Sequence, residues 1–450
     1  MSRTNSPHGG DDAGEEAIGL LDAVAIEVGL IVGGALFALV GVGVALAGAG
    51  VVVSFGIAIT IAAIGLVPTA MLGAAHPTTC GHYRYPAQLV SQPLAFLAAW
   101  GLGISMFTGG LPLYALTAGE YVQPLVPASP TAVGLLFLTG FFVLNLLGIR
   151  LAARVQLLLF LGLIVALGAF VIFGLPAVDG ANLTPLIDGG IGSVLIGAGV
   201  LYFTCLGANF VIDIGGEMRD ATVTIPQSFL VSIPLVFALY VLISLVAVGT
   251  MGVEAMANQT LLVVAERIFS PAFQTVFIIC GAIFAVATTL NATFILIPRY
   301  VEALVEDDIF PRVLGVTNER FGTAHWTLLG VYVLAALVLL APLPFQDLGT
   351  MLAFGGAFLV TVAMLAAISV LRDPPSGYQP ERFPVPGRVV LALAVIAVPL
   401  NVLLLGLLAV DAPVLFGVWM ALLVTGLAYY LVRTTYYAPG GTEPTERTQP

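Results

Sequence analysis

Apolar runs separated by short polar loops extend along almost the whole chain. A hydrocarbon core about 30 Å thick requires about 20 apolar residues per helix. Twelve runs approach that length, at 18–45, 49–75, 88–119, 130–149, 152–175, 190–214, 225–250, 271–300, 326–341, 346–371, 388–410 and 413–433. The pattern therefore predicts an all-α polytopic membrane protein with 12 transmembrane helices.

Composition agrees with this interpretation and adds an orientation. Of the 450 residues 59% are hydrophobic and 9% are charged, whereas soluble domains carry about 25% charged residues. All 14 basic residues are arginine. If both chain ends are cytoplasmic, Arg267 is the single arginine in an outer loop, which is the positive-inside bias. We therefore expect a multi-pass plasma-membrane protein with cytoplasmic N and C termini. A net charge of −11 without lysine is also typical of proteins from salt-loving archaea.

The spans divide into two groups of five and a final pair. We expect an acidic cytoplasmic tail, two five-helix repeats, two further helices and a second cytoplasmic tail, at 1–17, 18–175, 190–371, 388–433 and 434–450. Because five is an odd number, the second repeat enters the membrane in the opposite orientation. Inverted repeats of this kind are typical of secondary transporters, whose substrate binds near the midplane between the two halves.

The first helix of each predicted repeat is interrupted by small residues. Span one contains Gly33–Gly34–Ala35, and span six contains Cys205–Leu206–Gly207. Helices 1 and 6 are therefore predicted to be discontinuous, because paired interruptions indicate a binding site where unpaired backbone groups line a cavity. The alternative is that these glycines serve close helix packing, as small residues commonly do in membranes.

Five segments in the same order resemble the amino acid–polyamine–organocation (APC) superfamily of permeases. They are GLIVGGALFALVG (29–41), HPTTCGHYRYP (76–86), NLLGIRLAARVQ (145–156), FTCLGANFVIDIGGEMRDATVTIPQSF (203–229) and NATFILIPRYVEALVEDDIFPRVLGVTNERFGTAHW (291–326). Cys80 stands where the superfamily has the first glycine of its loop motif after helix two. The resemblance implies a leucine-transporter-type fold that works by alternating access.

The resemblance also implies which residues bind an amino-acid substrate. The substrate carboxylate would meet Gly33, Gly34 and Ala35, and helix six would hold the ammonium group and the side chain. The residues carried over from helix six are Phe203, Thr204, Cys205, Leu206, Gly207 and Asn209. Asn209 replaces an acidic residue of the superfamily, which disfavours cationic substrates and favours neutral amino acids.

Two ways of coupling transport to an ion are open. Some members of the superfamily use a helix-five lysine, but Leu163 occupies that position and the chain has no lysine. Thr288 and Thr289 are candidates for a sodium site, with hydroxyl groups bonded back to their own helix as the alternative. Glu27 and Asp213 are candidate proton carriers, because acids inside a membrane are functional candidates by default. Their alternative is hydration near the inner surface, or pairing with an arginine such as Arg84.

Other chemistry is absent from the sequence. Three separated cysteines form no CxxC motif, and no cluster has metal-ligand or catalytic spacing, so we expect neither an enzyme nor a bound cofactor apart from a coupling Na⁺ or H⁺. Nothing in the pattern indicates nucleic-acid binding. We read His82, Arg84, Glu217 and Arg219 as loop charges facing water, with an intracellular gate of ion pairs as the alternative.

The sequence as a whole predicts ion-coupled uptake of neutral amino acids through the lipid bilayer. Exchange or facilitated diffusion without ion coupling, and a non-transporting amino-acid sensor of the same fold, are the alternatives. The oligomeric state stays open.

Overall fold

In a computed structural model of the protein, the described residues are 19–123, 125–187, 189–318 and 321–436. The predicted tail 1–17 and residues 437–450 of the second predicted tail lie outside these ranges, as do the side chains of residues 149–156 and of Phe203. Helices dominate the described ranges, where pairing of the β type is limited to one isolated bridge between Thr79 and Ile214.

The described ranges contain 18 α-helices. They are α1 (Leu20–Ile31), α2 (Gly34–Ala47), α3 (Val51–Ala75), α4 (Gly81–Leu89), α5 (Gln92–Ser105), α6 (Leu111–Val122), α7 (Pro130–Leu146), α8 (Ile149–Gly174), α9 (Gly190–Tyr202), α10 (Ala221–Met251), α11 (Val253–Met256), α12 (Leu262–Ile268), α13 (Pro271–Val276), α14 (Phe284–Glu306), α15 (His325–Leu339), α16 (Phe345–Arg372), α17 (Gly387–Asp411) and α18 (Pro413–Tyr436).

Three stretches depart from α-helical geometry without ending the helical path. A 3₁₀ segment, Phe203–Asp213, continues α9. π-helical turns at Met106–Gly110 and Phe277–Ile283 join α5 to α6 and α13 to α14. Long 3₁₀ segments are uncommon, and π-helical turns occur frequently at functional sites.

Nine helical stretches of the described residues are long and apolar enough to cross a membrane, as expected of a polytopic membrane protein. The longest, Leu20–Ala75, comprises α1, α2 and α3, and two shorter apolar helices are α7 and α15. Gly48, at φ +58°, allows the tight turn between α2 and α3.

The helices that carry the predicted interruptions lie at the centre of the molecule. α1 packs against the 3₁₀ segment and α10, while α2 packs against α9. The apolar faces of α17 and α18 are largely exposed, as expected for helices that contact lipid. The centre of the bundle is therefore where broken helices and buried polar groups meet.

The differences from the sequence prediction include one additional helix and one helix that is longer than predicted. α4 was not predicted, because Gly81–Leu89 is too polar and too short to resemble a membrane span. α14 continues to Glu306, six residues beyond the predicted end at 300. The prediction stopped early because this last stretch contains charged residues and is an amphipathic helical extension rather than an apolar run.

Candidate functional site

The first interruption lies between α1 and α2, at Val32–Gly33. The prediction placed it at Gly33–Gly34–Ala35, but Gly34 and Ala35 already form the first turn of α2. The first N–H groups of a helix have no partner within it. The Gly34 N–H donates to the Thr289 hydroxyl over 2.9 Å, so the open end of α2 faces α14.

The second interruption is the 3₁₀ segment that follows α9. It contains Cys205, Leu206 and Gly207, the predicted break, and keeps the chain wound more tightly instead of extending it. The Thr204 hydroxyl donates to the Leu201 carbonyl over 2.6 Å, and Asn209 Nδ2 donates to the Leu206 carbonyl over 3.2 Å. Both polar side chains are buried, and Asn209 Oδ1 has no hydrogen-bond partner among the described residues.

The two interruptions touch each other. A Cβ atom at Gly207 would lie 2.4 Å from the Ile31 backbone nitrogen, so only glycine permits this approach. The Tyr240 hydroxyl on α10 lies 2.5 Å from the Ile31 carbonyl and 3.0 Å from the Thr204 carbonyl, and its single proton serves these two acceptors. Sequence reasoning missed Tyr240, because nothing near it in the chain marks a residue that joins two distant helix ends.

Thr288 and Thr289, the sodium candidates, lie where α14 meets the first interruption. Both hydroxyls donate to the Ala285 carbonyl, over 2.7 and 3.0 Å, which is the bonding to their own helix considered as the alternative. The Thr288 hydroxyl also lies 3.5 Å from the Gly29 carbonyl. Four oxygen atoms from α1 and α14 therefore come together, and the Thr289 oxygen also accepts from the Gly34 N–H.

Glu27, a proton-carrier candidate, is completely buried on α1. One carboxylate oxygen accepts a hydrogen bond from the Ser228 hydroxyl of α10 over 2.6 Å. The other oxygen has no hydrogen-bond partner among the described residues. A buried carboxylate with an unsatisfied oxygen is costly as an anion, and protonation removes that cost.

Asp213, the second proton-carrier candidate, is also completely buried but is fully partnered. It accepts from the His82 N–H, the His82 ring and the Tyr300 hydroxyl, each over 2.9 Å. The interpretation of His82 as a loop residue facing water was wrong, because the ring is completely buried between α4 and the end of the 3₁₀ segment. The suggested pairing of Asp213 with Arg84 is also not found.

The exposed charges near this cluster form two ion pairs. Arg84 pairs with Glu306 at 2.6 Å, and Arg299 pairs with Glu217 at 2.5 Å. The structure therefore agrees better with the alternative, ion pairs near this cluster, than with isolated loop charges. The partners of Arg84 and Glu217 lie on α14 and were not suggested by the sequence.

An apolar cavity of about 420 Å³ begins beside the two interruptions. Leu30, Gly207 and Thr289 line one end, and aromatic side chains that include Trp100 and Phe107 line the remainder. None of the described residues lining it carries a charged side chain. In the described ranges no three His, Cys, Asp or Glu side chains group as metal ligands. The geometry suits a small zwitterion whose ends meet backbone groups and whose side chain enters an apolar space.

Comparison with known proteins assigns the chain to a family. The sequence profile described as amino acid permease matches residues 18–432. The chain is 28% identical over 324 residues to an uncharacterized transporter of Mycobacterium tuberculosis, covering 71% of this chain and 73% of the relative. It is 24% identical over 376 residues to the methylthioribose transporter of Bacillus subtilis, covering 78% of each. It is 25% identical over 324 residues to cationic amino acid transporter 3, mitochondrial, of Arabidopsis thaliana, covering 66% of this chain and 53% of the relative. The chain therefore belongs to the amino acid permease family of the APC superfamily.

Proposed function

We propose that the protein is a secondary transporter that moves neutral amino acids across the plasma membrane by alternating access. The contact between the two helix interruptions beside an apolar cavity carries this proposal. The N terminus of α2 offers N–H groups and the positive end of a helix dipole to a carboxylate. Carbonyl groups near Thr204 and Leu206 are suited to an ammonium group.

The proposed architecture has 12 spans with an inverted repeat, and matching irregularities support that arrangement. Counting α1–α2 as one span, α3 as the next, and α7 and α15 as two short spans gives 12 with the eight remaining candidates. In this order the fourth helix of each half is the short one, α7 or α15. The third helix of each half contains the π-helical turn. The first helix of each half is interrupted, so three features recur at equivalent positions.

The substrate side chain is proposed to be apolar. No charged side chain lines the cavity, and Asn209 at the second interruption is neutral. A cationic side chain placed there would lose its hydration without gaining a counter-ion. The names of two relatives, a cationic amino acid transporter and a methylthioribose transporter, define the competitors that a substrate panel must include.

We propose proton coupling through Glu27. Its unpartnered carboxylate oxygen supports this choice, because a proton gives the buried side chain a neutral form. Sodium at Thr288 and Thr289 is the competing possibility, supported by the nearby Gly29 carbonyl. With the arginine-poor loops outside, both chain ends would be cytoplasmic and Glu27 would lie in the inner half of the first span, α1–α2.

The deciding experiment is uptake of labelled leucine, phenylalanine, arginine and methylthioribose into proteoliposomes at high salt. Each compound is tested with an inward proton gradient, an inward sodium gradient or none. We expect leucine or phenylalanine to accumulate with the proton gradient, and Glu27→Gln to abolish that accumulation. Accumulation with sodium that is lost in Thr288→Ala would assign the coupling to the other site, and uptake of arginine alone would contradict the substrate class.

A further inference from the structure

The cluster of His82, Asp213 and Tyr300 joins three elements at one end of the bundle. His82 lies in the first turn of α4, Asp213 ends the 3₁₀ segment, and Tyr300 lies in the last third of α14. The Cys80 N–H adds a backbone bond of 3.0 Å to the Asp213 carbonyl. On the proposed topology these are the loop between helices two and three, the end of helix six, and helix eight. They belong to different halves of the transporter.

The hydrogen bonds define the charge of the cluster. Three donors converge on the Asp213 carboxylate, which favours its anionic form. Facing a carboxylate, His82 Nδ1 is assigned the proton that it donates, which leaves Nε2 as the acceptor atom of the neutral ring. Nε2 is completely buried and has no hydrogen-bond partner among the described residues. With a neutral imidazole the cluster therefore holds one uncompensated buried negative charge.

A proton on Nε2 converts this cluster into a neutral ion pair. The Phe210 ring lies 5.5 Å from the His82 ring, within the range at which an aromatic ring stabilises a cation. The bond from a neutral His82 already has a charged acceptor, and a proton on Nε2 charges the donor as well, so protonation tightens the link between α4 and the 3₁₀ segment. Histidine is the side chain whose charge normally changes between about pH 5 and 8.

Other charged and titratable groups surround the pair. They are Cys80, Arg84 and Tyr85 at α4, Arg299, Tyr300, Glu302 and Glu306 on α14, Glu217 in the turn after the 3₁₀ segment, and Tyr378 in the loop after α16. Arg84 and Arg299 are compensated by Glu306 and Glu217, and the ion pairs lie nearer the surface than the buried cluster. His82 is therefore the buried group best placed to compensate the negative charge of Asp213.

We propose that His82 and Asp213, with Tyr300, form a proton-binding latch that holds this end of the transporter closed. The proposal rests on the proposed transport function for its role in the cycle, but not for its chemistry. With a proton bound, the latch ties α4, the 3₁₀ segment and α14 together. Loss of the proton weakens the tie and allows the elements to separate. His82 and Tyr300 act on transport through Asp213 and are positioning residues.

The reactivity of the Cys80 thiol can be used to measure whether the latch is closed. Its side chain is buried, and burial together with the Asp213 carboxylate raises the pKa of the Cys80 thiol. The thiol therefore reacts slowly while the latch is closed. The experiment is N-ethylmaleimide labelling of the full chain in proteoliposomes without substrate or gradient, with modification of the Cys80 peptide followed by mass spectrometry from about pH 5 to 8.

The matched control is His82→Asn, which keeps a donor near the Nδ1 position but cannot titrate. Dividing the wild-type labelling rate by the rate in this variant at each pH cancels the pH dependence of thiol chemistry itself. We expect the ratio to fall about fivefold from the alkaline to the acidic end, as a hydrogen bond with one charged partner becomes an ion pair. A ratio that is constant with pH would overturn the latch and leave the transport proposal intact.

Tyr300→Phe provides a second variant if His82→Asn does not reach the membrane. Removing the Tyr300 hydroxyl breaks one of the three bonds to the Asp213 carboxylate and leaves the His82 bond in place. Cys80 should therefore label faster than in the wild type while its labelling still slows towards acidic pH, and labelling at the wild-type rate would overturn the proposal. A pH-dependent latch in a protein that shows no flux would instead contradict the transport function alone.

Discussion

Gly207→Ala tests the contact between the two helix interruptions. The added Cβ atom would lie 2.4 Å from the Ile31 nitrogen and 2.4 Å from the Leu30 carbonyl carbon. Carbon atoms pack at about 3.5–4.0 Å, so the two segments must separate by about 1 Å. Overpacking costs about 1–3 kcal/mol, and the upper value applies here because the obstructing atoms belong to the backbone and have no rotamer to change.

A loss of about 3 kcal/mol at the substrate site corresponds to about a hundredfold loss of affinity. The assay is leucine uptake against substrate concentration in proteoliposomes, with thermal unfolding of the detergent-solubilised protein measured in parallel. Gly192→Ala is the matched control in the same predicted span, because a Cβ atom there meets nothing within 4 Å. If Gly207→Ala transports with wild-type affinity and unfolds at the wild-type temperature, the two interruptions do not form a tightly packed site.

Four further substitutions address individual contacts. Thr289→Val should lower the free energy of unfolding by about 1–3 kcal/mol, because the buried Gly34 N–H loses its acceptor; an unchanged thermal unfolding midpoint would count against that role. Glu27→Gln should abolish accumulation driven by the proton gradient while exchange of internal for external substrate continues, and retained gradient-driven accumulation would remove Glu27 from the coupling. Tyr240→Phe should lower affinity by about tenfold at most, since one hydrogen bond contributes about 0.5–1.5 kcal/mol; titration calorimetry measures the change. Asn209→Asp should shift preference towards lysine and arginine, and an unchanged preference in competition uptake would contradict the argument from charge.

Local sequence patterns predicted the apolar helices and the approximate positions of the two interruptions, but not the polar helix α4. Apolar runs mark spans because a membrane helix must be apolar over most of its length. Gly33 and Gly207 stand out because glycine interrupts an apolar run, and the structure explains both: a Cβ atom at Gly33 would lie 1.7 Å from the Thr289 hydroxyl oxygen. The prediction misplaced the first interruption by one residue because glycine can precede or begin a helix.

Contacts between distant residues could not be predicted in the same way. His82 and Asp213 are 131 positions apart, and Tyr240 and Ile31 are 209 positions apart. Neither pair has a spacing that a periodicity can reveal. Cys80 shows the same limit: at φ +54° it adopts a conformation that favours glycine, which gives a physical reason for the glycine that the superfamily motif has there. The residue's role at the latch becomes visible only when the Asp213 carbonyl is found beside it.

The central claim is that an amino acid bound between the two interruptions crosses the membrane. The most direct test is counterflow: proteoliposomes are loaded with unlabelled leucine, and entry of external labelled leucine is followed without any ion gradient. We predict transient accumulation of label above its equilibrium level in the wild type and little in Gly207→Ala, with Gly192→Ala behaving as the wild type. Saturable leucine binding without entry of label would identify a sensor that retains the permease fold, and it would contradict the claim of transport.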